Sequence, residues 1–356
     1  MKTYSCLHVL STFKKHSFLK FPKLVLVILI SVIPLTSISQ SENGSKEDDH
    51  ELTIYVVRSV GPISWESPSS LYKSYIKAYT SHVLRKKMSL TGHLFIKLST
   101  PLLEEPIYAG MCTPSRKERR ICVLKEKIGL GVLGASMKAK LENKNDLIKK
   151  IDYYSGKNEI AFITYHLNEQ AARRIIDFYK GFTSKSPINN IPADYYGGAF
   201  WPRYMNEGAG CSALGMAMLE VIGLAQEESK LWVRKVNIPM DLIGGRFNKT
   251  HQVGSRMIKK TTCWPNGSGI VDVDYVPINI YDPSLIFDWI IQQRLLPNHD
   301  RFSGYSLSDE AIIPGLSADR RYVKISPGEP IFISRKDSNL FIRKYYETMH
   351  VGSDHR

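Results

Sequence analysis

The sequence has few cysteines, a deficit of acidic residues and no long apolar run. Its five cysteines include no Cys-x-x-Cys pair and no Cys/His spacing of the kind that binds zinc, so we expect no metal site and no cofactor. The longest apolar run, Leu24–Ile33, is about half the length that a membrane-spanning helix needs. Acidic residues number 34 against 48 lysines and arginines, which gives a net charge of +14. A chain this basic favours anionic partners.

Nucleic acid is the least supported of these anionic partners. The sequence has no basic run interleaved with aromatic residues and no zinc-finger spacing, so we expect no nucleic acid partner. An anionic membrane or cell-wall surface fits the charge, as does a basic surface without a specific partner. Hydrophobic residues make up 43% and charged residues 23% of the chain, a mixture typical of a globular protein and not of a disordered one.

Residues 1–39 have the three parts of a secretory signal peptide. This segment contains five lysines and no acid, followed by the apolar run, and Ser37 and Ser39 are small residues placed for cleavage before Gln40. The sequence therefore predicts export, either to the periplasm or to the medium, and an uncleaved anchor is the alternative. Cleavage would lower the net charge from +14 to +9. The polar residues 40–50 are expected to form a linker.

Residues 51–235 combine strand-like and helix-like patterns, which is typical of an α+β domain. Strands are predicted at 52–60, 93–98, 107–111 and 161–166, and helices at 69–87, 169–182 and 211–223. Asn168 stands directly before the second of these helices, and asparagine is a preferred N-cap residue. Residues 126–158 are rich in lysine and glycine, and their pattern is too weak to place them.

Residues 236–356 form either an extension of this domain or a small second domain. A strand or hairpin is predicted at 270–280, and a helix is predicted to begin at Pro283. Short strands are predicted at 322–325 and 331–334.

Cys211 stands between a glycine-rich approach, Gly208 to Gly210, and an almost wholly apolar helix that Gly223 ends. A thiol at a helix N-terminus meets unpaired N–H groups and the positive end of the helix dipole, and both favour the thiolate. The Cys211 N–H is a candidate oxyanion donor. The alternative is a small buried residue that begins the helix and has no chemical role.

His93 follows Gly92 at the start of a predicted strand. A thiolate nucleophile needs an imidazole that accepts its proton and later protonates the leaving group, and a strand holds such a ring rigidly. Ten histidines are present, so an ordinary core or surface histidine is the alternative.

Taken together, these two segments resemble a known superfamily. The segment GHLFI at 92–96 resembles the GHxxI strand of the NlpC-type papain-like cysteine peptidases and amidases, and GCSAL at 210–214 resembles their Cys-Ser helix start. Here the histidine precedes the cysteine by 118 residues, which is the order of the circularly permuted branch. Residues 164–182 and the YYG element at 195–197 are also similar to that branch. The resemblance covers about residues 90–225.

The resemblance implies an α+β, papain-like fold, in which an antiparallel sheet of about five strands packs on the helix that bears the nucleophile. The superfamily has a third polar residue, on the strand after the histidine strand, that orients the imidazole. The matching residue here is Tyr108, and Glu105 is the alternative. By this resemblance Cys211, His93 and Tyr108 form the catalytic set.

The long loop 183–210 leaves two interpretations open for its side chains. Glu207 either lines the cleft or is a solvated loop carboxylate. The aromatic residues either form an apolar wall for substrate or pack the loop on itself; they are Tyr195, Tyr196, Phe200, Trp201 and Tyr204. Among the cysteines, Cys112 and Cys122 are the candidate pair if a disulfide exists, and Cys211 is expected to stay a free thiol.

The sequence therefore predicts an exported thiol hydrolase that cleaves an amide in a peptide or cell-wall peptide through a Cys-His pair. Two alternatives remain open. One is a catalytically inactive module of the same fold that binds peptide or glycan. The other is a lipid-directed thiol acyltransferase or esterase that works at an anionic membrane surface.

Overall fold

A computed structural model describes most of the chain beyond the predicted linker. The described residues are 49–85, 91–113, 116–224, 227–249, 251–310, 312–326 and 328–351. The predicted signal peptide and nearly all of the linker lie outside them. In this part of the chain, none of the helices is both long enough and apolar enough to cross a membrane.

Strands and helices are mixed along these residues. The strands are β1 His50–Val57, β2 His93–Ser99, β3 Ile107–Cys112, β4 Met137–Lys138, β5 Lys140–Glu142, β6 Ile160–Leu167, β7 Tyr195–Tyr196, β8 Val233–Pro239, β9 Tyr275–Tyr281, β10 Ser306–Glu310 and β11 Ile313–Asp319. The helices are α1 Pro68–Arg85, α2 Arg116–Arg120, α3 Lys144–Ser155, α4 Glu169–Thr183, α5 Cys211–Val221, α6 Glu227–Leu231, α7 Ser255–Lys260, α8 Pro283–Leu295 and α9 Leu340–Val351.

Seven of the strands form one mixed sheet in the order β10-β11-β6-β1-β2-β3-β5. At its centre β1 pairs antiparallel with both neighbours, so that Ile54 lies opposite Ile96 and Ile163. β11 lies parallel to β6, and the hairpin of β10 and β11 extends the sheet. The α+β class is confirmed. Five neighbouring strands, β6-β1-β2-β3-β5, pair antiparallel as predicted, but β10 and β11 from the C-terminal part make the sheet seven-stranded and mixed.

Both faces of the sheet are covered. Side chains along β2 point alternately to the two faces, so neighbouring residues meet different helices. Leu94 and Ile96 point to the face on which α5 packs, in the largest core cluster. Gly215 of α5 allows that approach, because a Cβ there would lie 2.5 Å from Leu94 Cδ2. Phe95 points to the opposite face, where it packs with Leu147 of α3.

Helix boundaries follow the local signals in the sequence. The Asn168 side chain accepts a hydrogen bond of 2.9 Å from the Ala171 N–H, which caps α4 as predicted. Gly223 follows α5 at a φ of +77°, a conformation that glycine adopts without strain.

Residues 236–356 contribute to the same compact unit, Glu47–Arg356. β11 joins the main sheet, and α8 packs against β1, β6 and β11. β9 pairs with β8, which begins before this part of the chain. The strands predicted at 322–325 and 331–334 are wrong, since those residues form no strand of the three sheets and Ile333 makes only an isolated bridge with Tyr204. The strands that extend the main sheet lie earlier, at 306–319.

Candidate functional site

The structure brings Cys211 and His93 into contact. β2 begins at His93, α5 begins at Cys211, and α5 packs on β2. The Cys211 sulfur is hydrogen-bonded to the His93 imidazole and to the backbone N–H of Leu94. His93 is 5% exposed, whereas Cys211 is partly exposed. The Cys211 residue is therefore partly accessible, although the groups that contact its thiol are buried.

Glycines in front of Cys211 hold the helix start close to β7. A Cβ at Gly208 would lie 2.0 Å from the carbonyl oxygen of Tyr195, so only glycine allows the chain to pass there. The next residue, Ala209, donates its N–H to the same oxygen at 3.1 Å. These contacts fix where α5 begins, and they place Tyr196 beside the sulfur. The Tyr196 hydroxyl lies 3.8 Å from Sγ and donates to it.

The residue that orients the imidazole is Glu142. His93 Nε2 lies 2.5 Å from Glu142 Oε2, and both residues are buried. Since Nε2 contacts the carboxylate, Nδ1 is the ring nitrogen left to face the thiol. Glu142 ends β5, the edge strand next to β3.

Tyr108, which the family resemblance assigned to this position, lies elsewhere. Tyr108 pairs with Lys97 of β2. Lys97 lies four residues after His93, and four residues of a strand span about 13 Å. The Tyr108 ring packs in the cluster that contains Phe95. The alternative, Glu105, is exposed and forms an ion pair with Lys144. The assignment of Tyr108 beside His93 is therefore wrong, because the register of β3 carries it away from the ring.

Gly110 makes room for the Glu142 carboxylate. It stands between Phe95 and Glu142 in the sheet, paired with each of them. A Cβ at Gly110 would lie 2.8 Å from Glu142 Oε2 and 3.0 Å from Phe95 Cβ. The missing side chain lets the carboxylate pass over β3 and reach His93.

We expect Gly110→Ala to displace that carboxylate and to lower the free energy of unfolding by about 1–3 kcal/mol through overpacking. Denaturant unfolding measures the loss. Gly61→Ala is the matched control, because a Cβ at Gly61 would meet nothing within 4 Å. Equal stability of the two variants would contradict the close approach at Gly110.

A fourth charged group completes the chain of contacts. The Lys150 ammonium, on α3, contacts the other carboxylate oxygen, Oε1 of Glu142. The Lys150 side chain is 14% exposed and that of Glu142 is 5% exposed. Lys150, Glu142, His93 and Cys211 therefore form one continuous series. Sequence reasoning missed both Glu142 and Lys150, which lie in the segment 126–158 that showed no usable pattern.

The electrostatics of this series favour a charged thiolate. Burial by itself would raise the pKa of Cys211. The hydrogen bond to His93 and the charge of its ring outweigh burial, and the Leu94 N–H and the Tyr196 hydroxyl add to them, so that the pKa of Cys211 falls to about 7. The thiol is thus poised to ionise near neutral pH.

The pKa values of His93 and Glu142 shift in opposite directions, and each shift favours the charged form of the group. Burial opposes a charged imidazole, yet hydrogen bonds to Cys211 and Glu142 raise the pKa of His93. Burial would also raise the pKa of Glu142, but its hydrogen bond to His93 and the charges of His93 and Lys150 lower it to about 2. Glu142 is therefore ionised throughout the neutral range.

Glu207 has a structural role that neither sequence interpretation described. It is fully buried and forms an ion pair with Arg335, with Nη2 to Oε2 at 2.7 Å. It also accepts the Trp201 N–H at 3.1 Å. The loop before α5 is thus tied to the C-terminal part of the chain.

Several aromatic residues of this loop also contact elements elsewhere in the chain. Tyr195 and Phe200 pack edge-on against Tyr345 of α9. Trp201 stacks on Tyr281 at 5.5 Å. Loop self-packing is therefore not the main contact of these three rings, and nothing in their positions assigns them to a substrate wall.

The described thiols differ in chemical character. Cys112, Cys122 and Cys211 are free thiols, so the candidate pair Cys112–Cys122 is not joined in the structure. Burial and the neighbouring Glu142 charge raise the pKa of Cys112 to about 11. Of these three, only Cys211 combines partial exposure with a lowered pKa.

Two other features do not add to this site. Asp49, Glu51 and His166 bring three ligand-type atoms within 4.8 Å of one another, but ion pairs of 3.4 Å from His166 to both carboxylates account for that grouping. A surface cavity of about 430 Å³, lined in part by Arg58 and Phe287, shares no residue with the Cys211 series.

Comparison with known proteins leaves the geometry as the only guide to function. No family model, no curated protein and no solved structure matches this chain.

Proposed function

We propose that this protein is a thiol hydrolase of permuted papain-like type, in which Cys211 is the nucleophile, His93 the acid-base group and Glu142 the residue that orients the imidazole. One observation carries the proposal. The Cys211 sulfur contacts an imidazole whose Nε2 lies 2.5 Å from a buried carboxylate. A nucleophile, a base in contact with it and a third group that orients the base are the parts that covalent acyl transfer requires.

The chemistry proceeds in two halves. The thiolate attacks the carbonyl carbon of the substrate, and the imidazolium Nδ1–H gives its proton to the leaving group, which departs as an amine. A thioester to Cys211 remains. Water then attacks this thioester, His93 takes the proton of that water, and the carboxylic acid leaves as the sulfur recovers its charge. The net reaction consumes one water and one amide.

Donors for the developing oxyanion lie beside the sulfur. The Cys211 backbone N–H is hydrogen-bonded to the Tyr196 hydroxyl, which itself donates to Sγ. For a substrate carbonyl at Sγ, the Cys211 N–H is the candidate oxyanion donor once it exchanges the Tyr196 hydroxyl for the substrate oxygen. Gly210 precedes the helix and has no side chain, so nothing at this position narrows the space in front of the Cys211 N–H.

An amide substrate fits this arrangement better than an ester does. An amine leaves only when it is protonated, and the contacts that raise the pKa of His93 favour the imidazolium that gives this proton. An alkoxide needs that proton less. The proposed substrate class is therefore a peptide or cell-wall peptide amide, and export remains part of the proposal.

The test is hydrolysis of fluorogenic peptidyl coumarin amides and of p-nitrophenyl acyl esters, together with labelling by iodoacetamide at neutral pH. We expect Cys211-dependent release of the coumarin amine, and Cys211→Ala is expected to abolish both turnover and rapid labelling. Cys112→Ser is the matched control, because the raised pKa of that thiol keeps it protonated and unreactive.

Three outcomes separate the alternatives. Release of amine that needs Cys211 supports the amidase. Ester turnover without any amide turnover points instead to the lipid-directed acyltransferase or esterase. Slow labelling of Cys211 with no turnover of either class means an inactive binding module and removes the proposal.

A further inference from the structure

Helix α1 exposes an apolar surface that no described element covers. Ile76 is 44% exposed, Tyr79 51%, Val83 56% and Leu84 78%. At the angular step of an α-helix the first three fall within about 60° of one another, with Leu84 beside them. The opposite side of the helix, with Leu71 and Ala78, is buried. We call this group of four side chains the α1 apolar stripe.

Positive charge flanks the α1 apolar stripe on one side. Lys73 and Lys77 are exposed and lie next to Leu84 around the helix. The helix contains no aspartate or glutamate, and Lys86 and Lys87 follow it in the sequence. A surface helix normally carries mixed charges opposite its core face, so exposed apolar residues on a helix whose charged residues are all basic form an unusual outer surface.

The neighbouring helix continues the same charge. α7 packs on α1, and its residues Arg256, Lys259 and Lys260 are exposed. The Lys259 ammonium lies over the Tyr72 ring of α1, 5.4 Å from its centre. α7 likewise contains no acidic residue. Tyr72 lies one helical turn before Ile76, so the Lys259 ammonium borders the α1 apolar stripe at its N-terminal end, and α7 extends the positive charge from there.

We infer that this surface binds the protein peripherally to an anionic phospholipid membrane, with the α1 apolar stripe at the level of the acyl-chain boundary and the lysines at the phosphates. A helix with apolar and aromatic residues beside lysines, and without acids, suits the interface between headgroups and acyl chains. The anionic headgroups complement the cations. A purely anionic wall polymer would use the lysines but would leave the apolar side chains in water, so the membrane is the better match.

The inference does not depend on the proposed hydrolysis, because none of its residues belongs to the Cys211 series. The experiment uses the chain from Gln40, which retains the whole compact unit Glu47–Arg356. Binding is measured by co-sedimentation with vesicles of phosphatidylcholine alone and of phosphatidylcholine with phosphatidylglycerol. We expect binding to the anionic vesicles only, and we expect it to weaken as salt is raised.

Two variants separate the charged and the apolar contributions. Lys73→Glu with Lys77→Glu is expected to lower the partition coefficient by at least about 25-fold, since each lysine near such a surface contributes about fivefold. Ile76→Ser with Tyr79→Ser and Val83→Ser is expected to lower it at least about tenfold at unchanged charge. All these side chains are exposed, so circular dichroism and Cys211 labelling should match the wild type.

Lys149→Glu with Lys324→Glu is the matched control, because it makes the same change in net charge at exposed lysines on α3 and after β11. The control should bind as the wild type does. An equal loss in the control, or wild-type binding by the serine variant, would overturn the inference, because charge alone would then explain the attraction. A dimer in sedimentation velocity that the serine variant abolishes, without vesicle binding by the wild type, would assign the stripe to a second copy of the chain instead.

Discussion

His93→Ala is expected to move the pH midpoint of Cys211 ionisation from about 7 to at least 9. The variant removes the hydrogen bond and the charge that lower the pKa, while the burial that raises it remains. The dipole of α5 still favours the thiolate, but a helix dipole contributes only about 0.3–1 kcal/mol, which is less than one pKa unit. A shift of two units or more therefore reports the imidazole itself.

The midpoint is measured from the rate of iodoacetamide alkylation between pH 5 and 10, and independently from thiolate absorbance in the ultraviolet. The midpoint is a better measure than the rate at a single pH. At pH 7 the thiolate fraction should fall by about 50-fold, but a thiolate of higher pKa is intrinsically more nucleophilic, so the observed rate should fall by less than tenfold. Turnover of any substrate should be lost, because no group remains to protonate the leaving amine.

His299→Ala is the control for this prediction, since the His299 side chain is 80% exposed and lies outside the Cys211 series. Its profile should superimpose on that of the wild type. Superimposable profiles for His93→Ala and the wild type would instead remove the central pair of the proposed mechanism.

Glu142→Gln is expected to lower turnover by about 10²–10⁴-fold, the range that general acid-base catalysis contributes. The amide keeps nearly the same shape but no longer carries the charge that raises the pKa of His93. We therefore expect the Cys211 midpoint to rise toward that of a free thiol at the same time. Turnover of the fluorogenic amides and the alkylation profile measure the two effects separately.

Lys150 makes a second variant necessary, because Glu142→Gln leaves its ammonium facing a neutral amide. Glu142→Gln combined with Lys150→Met removes both charges and should recover stability lost through that unpaired cation. It should not recover turnover if Glu142 acts through His93. Full recovery of turnover in the double variant would mean that Glu142 matters only for folding.

The same carboxylate makes stability depend on pH in a defined window. The pKa of Glu142 is about 2 in the folded protein against an ordinary 4.5. A group with a lowered folded pKa contributes stability that is present above its unfolded pKa and is lost as the pH falls through its folded pKa. Its contribution, about 3 kcal/mol by linkage, should therefore disappear between pH 4.5 and pH 2. Acid unfolding of Glu142→Gln should lack this component.

Membrane attachment through α1 would bring the Cys211 site near the bilayer surface. Seven residues, 86–92, connect α1 to His93, so the end of the helix lies within about 29 Å of the site by chain length alone. Turnover measured with and without anionic vesicles would show whether attachment changes access to the thiol. The amidase proposal does not require that it should.

The strongest local signals in the sequence lie on the two elements that carry the Cys-His pair. The alternation of HLFIKL predicted β2, and a nearly continuous apolar run between Cys211 and Gly223 predicted α5 as a buried helix. Asn168 predicted the start of α4. Each of these signals is short in range, because periodicity and caps depend on neighbouring residues only. Placing Cys211 at a helix N-terminus and His93 at a strand start needed nothing more.

The position of the third group, Glu142, depends on how the strands pair, and strand register is not encoded in neighbouring residues. β5 has three residues, too few for a period, and its position comes only from pairing with β3. That pairing sets Glu142 opposite Gly110, and the pairing of β3 with β2 sets Gly110 opposite Phe95 and carries Tyr108 about 13 Å away from His93. Lys150 reaches Glu142 because α3 packs over β3.

The amino-acid sequence by itself therefore determined the α+β class, the helix that begins at Cys211 and the strand that begins at His93, because local periodicity and caps specify such elements. Only the tertiary structure decided that the two meet, that Glu142 and Lys150 extend the series, and that Glu207 is buried against Arg335. Contacts between distant segments depend on the register and packing of the whole sheet. A buried charge in turn shows its role only when its partner is known.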